Sequence, residues 1–326
     1  MLAGMISSVR QQLIERLADG EFHSGSELAT ELVLSRTAVH NHIEALSGYG
    51  LEIYRVKGKG YRLAAPLSLL DAEQLLLGRS VPLHLFWQLD STNAFLMARR
   101  ERCHSGEACL AEMQTAGRGR RGRPWVSPLA CHLYLSYFWR LEQGMGAVGG
   151  LSLAVGVMLA QALERCGYAD IELKWPNDLY LQGRKLGGIL IEMQGQIGEP
   201  CDLVIGCGIN VAMPASMADL IDQPWADLQG DSAERVDRTA LAQEVLAALA
   251  TGMQQFEQQG LAPFIAAWGA RDRFRDQAVT LLMGEREIQG VARGIDPQGN
   301  LQLELASGQI KAFGGGELSL RPQWQN

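Results

Sequence analysis

The chain has 326 residues, enough for two or three domains. Apolar residues make up 47% and charged residues 20%, an ordinary globular composition that excludes a low-complexity disordered chain. The formal net charge of -7 excludes a uniformly basic nucleic-acid binder, so any contact with nucleic acid has to come from a local basic patch.

The N-terminus does not read as a targeting segment. Its apolar residues are interrupted by Arg10, Glu15, Arg16 and Asp19, and no small-residue cleavage site follows. The first sixty-odd residues predict three short helices and a hairpin. Ser8-x-x-Gln11 and Ser24-x-x-Glu27 both fit the capping box that opens a helix. Val9, Leu13 and Leu17 then share one face of the first helix, and Leu28, Ala29 and Leu32 mark a short second one. Ser35 caps the third, whose buried stripe is Val39, Ile43 and Leu46. Thr37, His40 and Asn41 point away from that stripe, with Arg36 at its N-terminal end. Two short helices joined by a tight turn predict a helix-turn-helix. Leu51 to Val56 and Tyr61 to Ala64 predict hairpin strands around the tip Lys57-Gly58-Lys59-Gly60. From Arg36 to Arg62 there are five Lys/Arg and two acids, Glu44 and Glu52. Positive charge therefore gathers on the third helix and the hairpin, where a winged helix-turn-helix touches DNA. A small protein-interaction module would have the same helices, but the exposed polar helix face and the basic wing favour DNA.

Pro66 opens a second region. Strand-like runs recur at Val81–Leu89, Ala108–Gln114, Cys131–Trp139, Ile171–Trp175, Leu186–Met193 and Leu203–Asn210. Helical patterns lie near Thr92–Arg102, Val148–Cys166 and Thr239–Gln258. Strands joined by hairpin-length turns and mixed with helices predict an α+β fold rather than a doubly wound one. Gln143 to Leu163 carries no charge and is long enough to span a bilayer. It holds Gly144, Gly146, Gly149, Gly150 and Gly156, so a buried core helix starting near Val148 and ending at Gly167 is the better reading. After Phe264–Phe274, short strands at Ala278–Met283, Glu287–Ile295, Leu301–Leu305 and Gln309–Phe313 predict a small β-barrel. Gly284-Glu285, Asp296-Pro297-Gln298-Gly299 and Ser307-Gly308 would make its turns. The divisions fall at 1–65, 66–272 and 273–326. Cys103, Cys109, Cys131, Cys166, Cys201 and Cys207 form no C-x-x-C pair and have no zinc spacing, which points to free thiols in a reducing cytoplasm. His40 and His42 point in different directions on a helix, and no metal site is expected.

The segment Gly117-Arg118-Gly119-Arg120-Arg121-Gly122-Arg123 concentrates four guanidinium groups. Such a loop repels itself unless an anion is present, and arginine grips phosphate or carboxylate with two donors at once. Three readings compete: a solvated basic loop, a dinucleotide fingerprint, or a lid over a polyphosphate and a carboxylate. The literal G-x-G-x-x-G match is weakened by Pro124, which leaves no helix opening at the third glycine. Other segments favour the lid. Asp90-Ser91-Thr92-Asn93 ends a strand and starts a helix, offering hydroxyls and an amide to a neutral polar ligand head, although Ser91 or Thr92 could simply be a cap. Gln114 ends the strand before the loop. Lys174-Trp175-Pro176-Asn177-Asp178 puts a strand end and polar groups together. In Arg184-Lys185-Leu186-Gly187-Gly188 the small residues after Lys185 suggest close approach of a ligand.

Together these segments, in this order and approximate spacing, resemble the biotin protein ligases. The N-terminal winged helix-turn-helix resembles the bifunctional group that also represses biotin operon transcription. The resemblance implies a central class II aminoacyl-tRNA synthetase-like domain with a mixed sheet and a C-terminal SH3-like barrel. It implies that biotin and ATP, with Mg²⁺, form biotinyl-5′-AMP. A lysine of the biotin carboxyl carrier protein of acetyl-CoA carboxylase then displaces AMP. Carried over by position, Ser91, Thr92, Asn93, Gln114, Arg118, Gly119, Arg120, Lys185 and Gly188 would meet biotin. Gly117, Arg121, Arg123, Trp125, Asn177, Asn210 and Trp225 would meet ATP or the adenylate, Trp225 from a mobile-looking stretch that starts at Met213. Lys185, Arg118, Arg120 and Asp178 would be the catalytic set. Loss of Arg118 would speed escape of the adenylate, and loss of Lys185 would abolish its formation. Ser26, Ser35, Arg36, Thr37, His40, Asn41, Lys57 and Lys59 would face the biotin operator DNA. A cytoplasmic homodimer, formed when the adenylate is bound and making no membrane contact, is implied as well. A ligand-responsive repressor without catalysis, and a lipoate or octanoate ligase on the same scaffold, are the alternatives from other classes.

Overall fold

The computed structural model describes residues 6–322 except 197, 233, 284, 285 and 315–317. The turn expected at Gly284-Glu285 lies outside the described residues. Helices α1 (Ser8–Leu17), α2 (Gly25–Glu31) and α3 (Arg36–Leu46) close around Leu13, Ile14, Leu17, Leu28, Val39, Ile43 and Leu46. Strands β1 (Ile53–Val56) and β2 (Gly60–Leu63) form the expected antiparallel hairpin, with Ile53 opposite Leu63. Ser24 and Ser35 cap α2 and α3, accepting from the N–H groups of Ser26 and Ala38 at 3.2 and 3.1 Å. The box expected at Ser8 does not form. Ser8 is already helical, Ser7 precedes it without a side-chain cap, and Gln11 donates to the Ile6 carbonyl instead. Water can satisfy the N–H groups of an exposed helix end, so a matching sequence does not compel the box.

The central region continues through α4 (Ala72–Leu76), β3 (Leu83–Phe86), α5 (Thr92–Arg99), β4 (Ala108–Ala111), β5 (His132–Leu141) and α6 (Leu151–Arg165). It is completed by β6 (Ile171–Lys174), β7 (Asp178–Leu181), β8 (Arg184–Gln194), β9 (Cys201–Asn210), α7 (Arg238–Gln259) and α8 (Ile265–Gly269). The seven strands pair in the order β3-β4-β5-β9-β8-β7-β6. Only β3 and β4 run parallel, which makes the sheet mixed. Helix α4 and strand β7 have no counterpart in the sequence reading, since segments of five and four residues are too short to show a period. The helix expected over Thr92–Arg102 ends at Arg99 and tightens into a 3₁₀ turn at Arg100–Arg102. The uncharged stretch yields α6, which begins only at Leu151 and packs against α7 and the sheet. Among the described residues, no helix is long and apolar enough to cross a membrane.

The alternation of β9 decides what each face of the sheet carries. Leu203, Ile205, Cys207 and Ile209 join the main core under α6 and α7. Val204 packs with Leu96 of α5 on the opposite face, and Gly206 and Gly208 continue that second face. Where α5 ends its cover, those glycines leave an open floor.

Strands β10 (Ala278–Met283), β11 (Arg286–Ile295), β12 (Leu301–Glu304), β13 (Ile310–Phe313) and β14 (Leu318–Pro322) form an antiparallel sheet in the order β13-β12-β11-β10-β14. Its buried Val279, Leu281, Ala292, Leu301 and Leu303 are continuous with the main core. Two junctions stitch the units together. Residues 271–273 extend the edge of β6: Leu173 N–H donates to Arg271 O at 2.7 Å, and Arg273 N–H donates to Leu173 O at 3.0 Å. At the other end, the buried Arg238 guanidinium meets the Glu112 carboxylate at 2.6 Å and donates to the carbonyls of Ser68 and His132. Glu112 also accepts the N–H of Leu70 at 2.6 Å. The linker after the hairpin is thereby fastened to β4 and to the start of α7.

Candidate active site and DNA-binding face

A cleft of about 860 Å³ opens on the glycine-bearing face of the sheet. Its floor is Gly188 of β8 with Gly206 and Gly208 of β9. A Cβ on Gly208 would lie 2.7 Å from the Trp125 ring, and one on Gly206 would run into the Asn93 amide. Gly187 points away from the cleft and is structural, because a Cβ there would stand 2.7 Å from the Gly208 carbonyl.

A β-bulge brings Lys185 into the cleft. Leu179 pairs with Gly187 but Tyr180 pairs with Lys185, so Leu186 is the extra residue. In a regular strand, with Leu186 taking its own place in the ladder, alternation would put Lys185 on the face of Gly187. With the bulge, Lys185 joins Gly188 and Asp178, and its Nζ lies 2.9 Å from Asp178 Oδ1. The Lys185 ammonium also stands 5.7 Å over the Trp125 ring. Both partners of the pair are mostly buried, so the attraction is weakly screened and costly to break.

The arginine segment folds back on itself as a lid. Gly119 N–H donates to Arg123 O and Trp125 N–H to Gly117 O, both at 2.8 Å, around a tight turn at Arg120–Gly122. Gly117 is required by packing, since a Cβ would fall 2.6 Å from Ser127 Oγ; it is buried there and does not line the cleft. Gly119 has open space around it, with only Arg123 O at 3.8 Å, so the lid's own packing does not demand a glycine. Arg120 turns inward and donates to Asn177 Oδ1 at 3.1 Å. Burial and then Arg121 push the Arg120 guanidinium below its usual range, while Asp178 pulls it back. Arg118 turns toward Glu192 at 3.0 Å and is 43% exposed. Arg121 and Arg123 are exposed at the rim.

At the far wall, Thr92 donates its N–H to Gln114 Oε1 at 2.9 Å, and Ser91 caps α5. Asn93 is buried, donating to Glu192 Oε2 at 2.8 Å and accepting from Ser136 Oγ at 2.5 Å. Sequence reasoning missed Ser136 and Glu192. Each lies on the cleft face of its strand, and strand phase alone could have flagged them. Asn177 donates to Ile189 O at 2.7 Å. Asn210 is buried and spends its amide on Ala226 O at 3.1 Å, pinning the segment that carries Trp225. That segment is tied down rather than loose: Lys185 N–H donates to Pro224 O and Ala226 N–H to Lys185 O. Asp227 further accepts the N–H groups of Met213 and Gly230, both at 2.8 Å. Trp225 lines the cleft beside Lys185. Trp125 Nε1 is buried without a hydrogen bond to any described residue, an unmet donor at the cleft wall.

In the N-terminal unit, Ser26, Ser35, Arg36, Thr37, Asn41, Lys57 and Lys59 are exposed, and His40 is half-buried. The His40 ring stacks on Tyr61 of β2 at 6.5 Å, which sets the exposed face of α3 beside the hairpin. Phe22 lies under Lys59 and Arg62, at 5.5 and 5.0 Å. The basic tip is thereby anchored on an aromatic ring.

A loop of four arginines, a glycine floor and a mostly buried lysine–aspartate pair share this chain with a winged helix-turn-helix, the arrangement of a DNA-binding enzyme of acid activation. The model of the biotin/lipoate A/B protein ligase family matches residues 85–210. A helix-turn-helix domain model matches 9–62, and the biotin protein ligase C-terminal domain model matches 276–321. The bifunctional ligase/repressor BirA of Salmonella typhimurium is 47% identical over 319 residues, covering 97% of this chain and 98% of its own length. The BirA of Escherichia coli K12 is 46% identical over 318 residues, covering 97% and 98%. The biotin protein ligase of Aquifex aeolicus, solved with biotin and ATP, superposes with a TM-score of 0.65 at 29% identity, covering 74% of this chain and 99% of that one. The chain belongs to the biotin protein ligase family, in its bifunctional ligase/repressor branch.

Proposed function

We infer that this chain condenses biotin with ATP to biotinyl-5′-AMP, transfers biotin to a lysine of a biotin carboxyl carrier protein, and represses the biotin operon with the adenylate as corepressor. One observation carries the reading: the bulge that turns Lys185 into the cleft, paired with Asp178 and facing the arginine lid. A carboxylate oxygen of biotin bonds to the α-phosphorus as the bond to the β-phosphate oxygen breaks, and pyrophosphate departs. The carrier amine then attacks the acyl carbon, AMP leaves, and the amine gives up a proton. Both steps require anions to be held together, and preorganised cations supply that in a site with little water.

In this reading Lys185 and Arg120 hold the biotin carboxylate and the α-phosphate. Ser91, Thr92, Gln114 and the Arg118 backbone meet the ureido head, with Asn93 braced behind them. Gly188 and Gly119 allow close approach. Arg121 and Arg123 serve the outer phosphates, Asn177 braces Arg120, and Trp225 covers adenine. Asp178 first pairs with Lys185 and then orients the incoming amine. Mg²⁺ would arrive with the nucleotide: it needs one or two carboxylates besides phosphate and water, and Asp178 and Asp222 line the cleft. The ion would neutralise phosphate charge. The chain divides at 1–65, 66–272 and 273–326. Incubation with ATP and a panel of carboxylic acids, with mass identification of the adenylate and of the modified acceptor, tests the reading. A repressor without catalysis would yield neither product, and a lipoate ligase would yield a different adenylate.

The inward turn of Arg120 and the outward pairing of Arg118 support Arg120 as the side chain that retains the adenylate. Arg120→Ala should release preformed adenylate about tenfold faster or more, and Arg118→Ala much less so. Filter-binding dissociation rates compare them, and equal rates would count against the assignment.

On the DNA side, Lys57 and Lys59 at the wing tip contact phosphate, while Arg36, Thr37, His40 and Asn41 face the groove. Ser26 and Ser35 lie at the N-terminal ends of α2 and α3. Replacing both lysines with alanine removes four phosphate contacts from a homodimer and should flatten the salt dependence of operator binding by about 3.6 units of log–log slope. A titration between low and moderate salt reads this directly. The repressor acts as a homodimer on two half-sites once the adenylate is bound, and sedimentation with biotin plus ATP should show the dimer strengthening.

A further inference from the structure

We propose that Glu192 and Ser136 are specificity-determining residues. Through a one-directional chain of hydrogen bonds they make the Thr92 hydroxyl an acceptor in the cleft, so the ligand head it meets must donate, as a urea does. The inference rests on the ligase reading above and adds to it two side chains behind the head-binding groups.

The chain starts from a group that only accepts. Glu192 Oε1 takes the Arg118 guanidinium at 3.0 Å, and Oε2 takes Asn93 Nδ2 at 2.8 Å. The Leu190 carbonyl, 3.3 Å from the same nitrogen, accepts as well. The Asn93 amide is thereby oriented, with Nδ2 toward β8 and Oδ1 toward Ser136 of β5. The reverse orientation would set an amide oxygen against a carboxylate. Thr92, Asn93 and Ser136 are all buried, so each has to find its partner within the protein or the ligand.

From there each hydroxyl hydrogen has one place to go. Ser136 has a single hydrogen and two oxygens within reach, Asn93 Oδ1 at 2.5 Å and Thr92 Oγ1 at 2.7 Å. An amide oxygen carries no hydrogen, so the shorter contact uses that of Ser136. The contact between Ser136 and Thr92 then uses the hydrogen of Thr92. Gln114 Oε1, 3.2 Å from Thr92 Oγ1, already accepts the Thr92 N–H at 2.9 Å. Thr92 keeps only lone pairs to present to the cleft that it lines.

A second chain runs along the other side of the head. With its oxygen on the Thr92 N–H, Gln114 turns Nε2 to Ser127 Oγ at 3.3 Å, and Ser127 donates to the Trp125 carbonyl at 2.9 Å. This chain also ends on a group that only accepts, so Gln114 keeps an amide hydrogen for a ligand carbonyl. Thr92 accepting beside Gln114 donating matches an N–H beside a C=O. A head with oxygen in place of nitrogen would set lone pairs against Thr92, and an apolar head would strand both groups.

The test measures initial rates of adenylate formation by the full chain and by its Ser136→Ala and Glu192→Gln variants. Biotin is compared with its cyclic carbonate analogue, in which oxygen replaces both ureido N–H groups, and with an analogue that lacks the ring sulfur but keeps the urea. The unmodified chain should prefer biotin to the carbonate by about a hundredfold or more in kcat/KM. Ser136→Ala frees the Thr92 hydrogen and should shrink that preference about tenfold. Glu192→Gln must turn an N–H toward Asn93 or Arg118, both donors, and should shrink it less, because the Leu190 carbonyl still holds the amide. Glu192 is partly exposed, so this variant carries the test if Ser136→Ala does not fold. The preference for biotin over the sulfur-free analogue and the KM for ATP should stay as they are in both variants. An equal loss for biotin and the carbonate, which a merely structural role would give, overturns the proposal. So does an unmodified chain without the preference, or a preference unchanged in Ser136→Ala; one unchanged in Glu192→Gln overturns the part given to Glu192. If the unmodified chain forms no adenylate from biotin and ATP, the ligase reading itself falls and the proposal with it.

Discussion

Replacing Lys185 with alanine is expected to lower the rate of adenylate formation by at least about a hundredfold, with the fold intact. Two effects add. The cation that would bridge the biotin carboxylate and the α-phosphate is gone, and the mostly buried Asp178 loses its partner at 2.9 Å. An unpaired carboxylate would then face two incoming anions and repel both. Lys185→Arg restores charge but not shape, since a planar fork replaces a compact ammonium, and should recover only part of the rate. Single-turnover measurement of the adenylate separates this step from transfer. Transfer from supplied biotinyl-5′-AMP should suffer less. Normal adenylate formation by Lys185→Ala would remove Lys185 from the mechanism.

Arg238→Met is expected to have the largest effect on stability. The Arg238–Glu112 pair is almost wholly buried, and the guanidinium also holds the carbonyls of Ser68 and His132. Removing one partner strands a buried carboxylate, which costs about 3–5 kcal/mol. Glu112→Gln in the Arg238→Met background removes the stranded charge and should recover part of the loss. Thermal unfolding of the two single variants and the double variant closes the cycle. A double variant no more stable than Arg238→Met would mean that the linker bonds, rather than the ion pair, dominate. His132 beside this pair is pushed down to about 3 by burial, so it is neutral in the folded protein across the range of the assay.

The winged unit was legible because its helices bury a regular stripe: Val39, Ile43 and Leu46 sit where a period of 3.6 puts them. The lid was legible for a different reason. Four arginines among glycines have few uses other than an anion, and flanking motifs narrowed the choice. What the sequence reading could not supply is phase. The bulge at Leu186 shifts which residues face the cleft, and no local composition announces a bulge. Glu192 and Ser136 became visible only once strand register set them against Arg118 and Asn93. Gly206 and Gly208 did carry a signal, since alternating glycines inside a strand mark close approach. Trp225 looked loose because its segment has no period, but backbone bonds to Lys185 and the Asn210 amide hold it.

The glycine floor has a consequence for how this cleft can change. Its depth is set by side chains that are absent at Gly188, Gly206 and Gly208, so the cleft has no atoms left there to give up. Any substitution at these positions subtracts space, and at Gly208 the first carbon already meets the Trp125 ring at 2.7 Å. Acceptance of a bulkier acid must therefore come from the walls and the lid, where Trp125 and the arginines can be trimmed. The floor is a one-way boundary: selection can make this cleft shallower by a single methyl group, but it cannot deepen it by the same means.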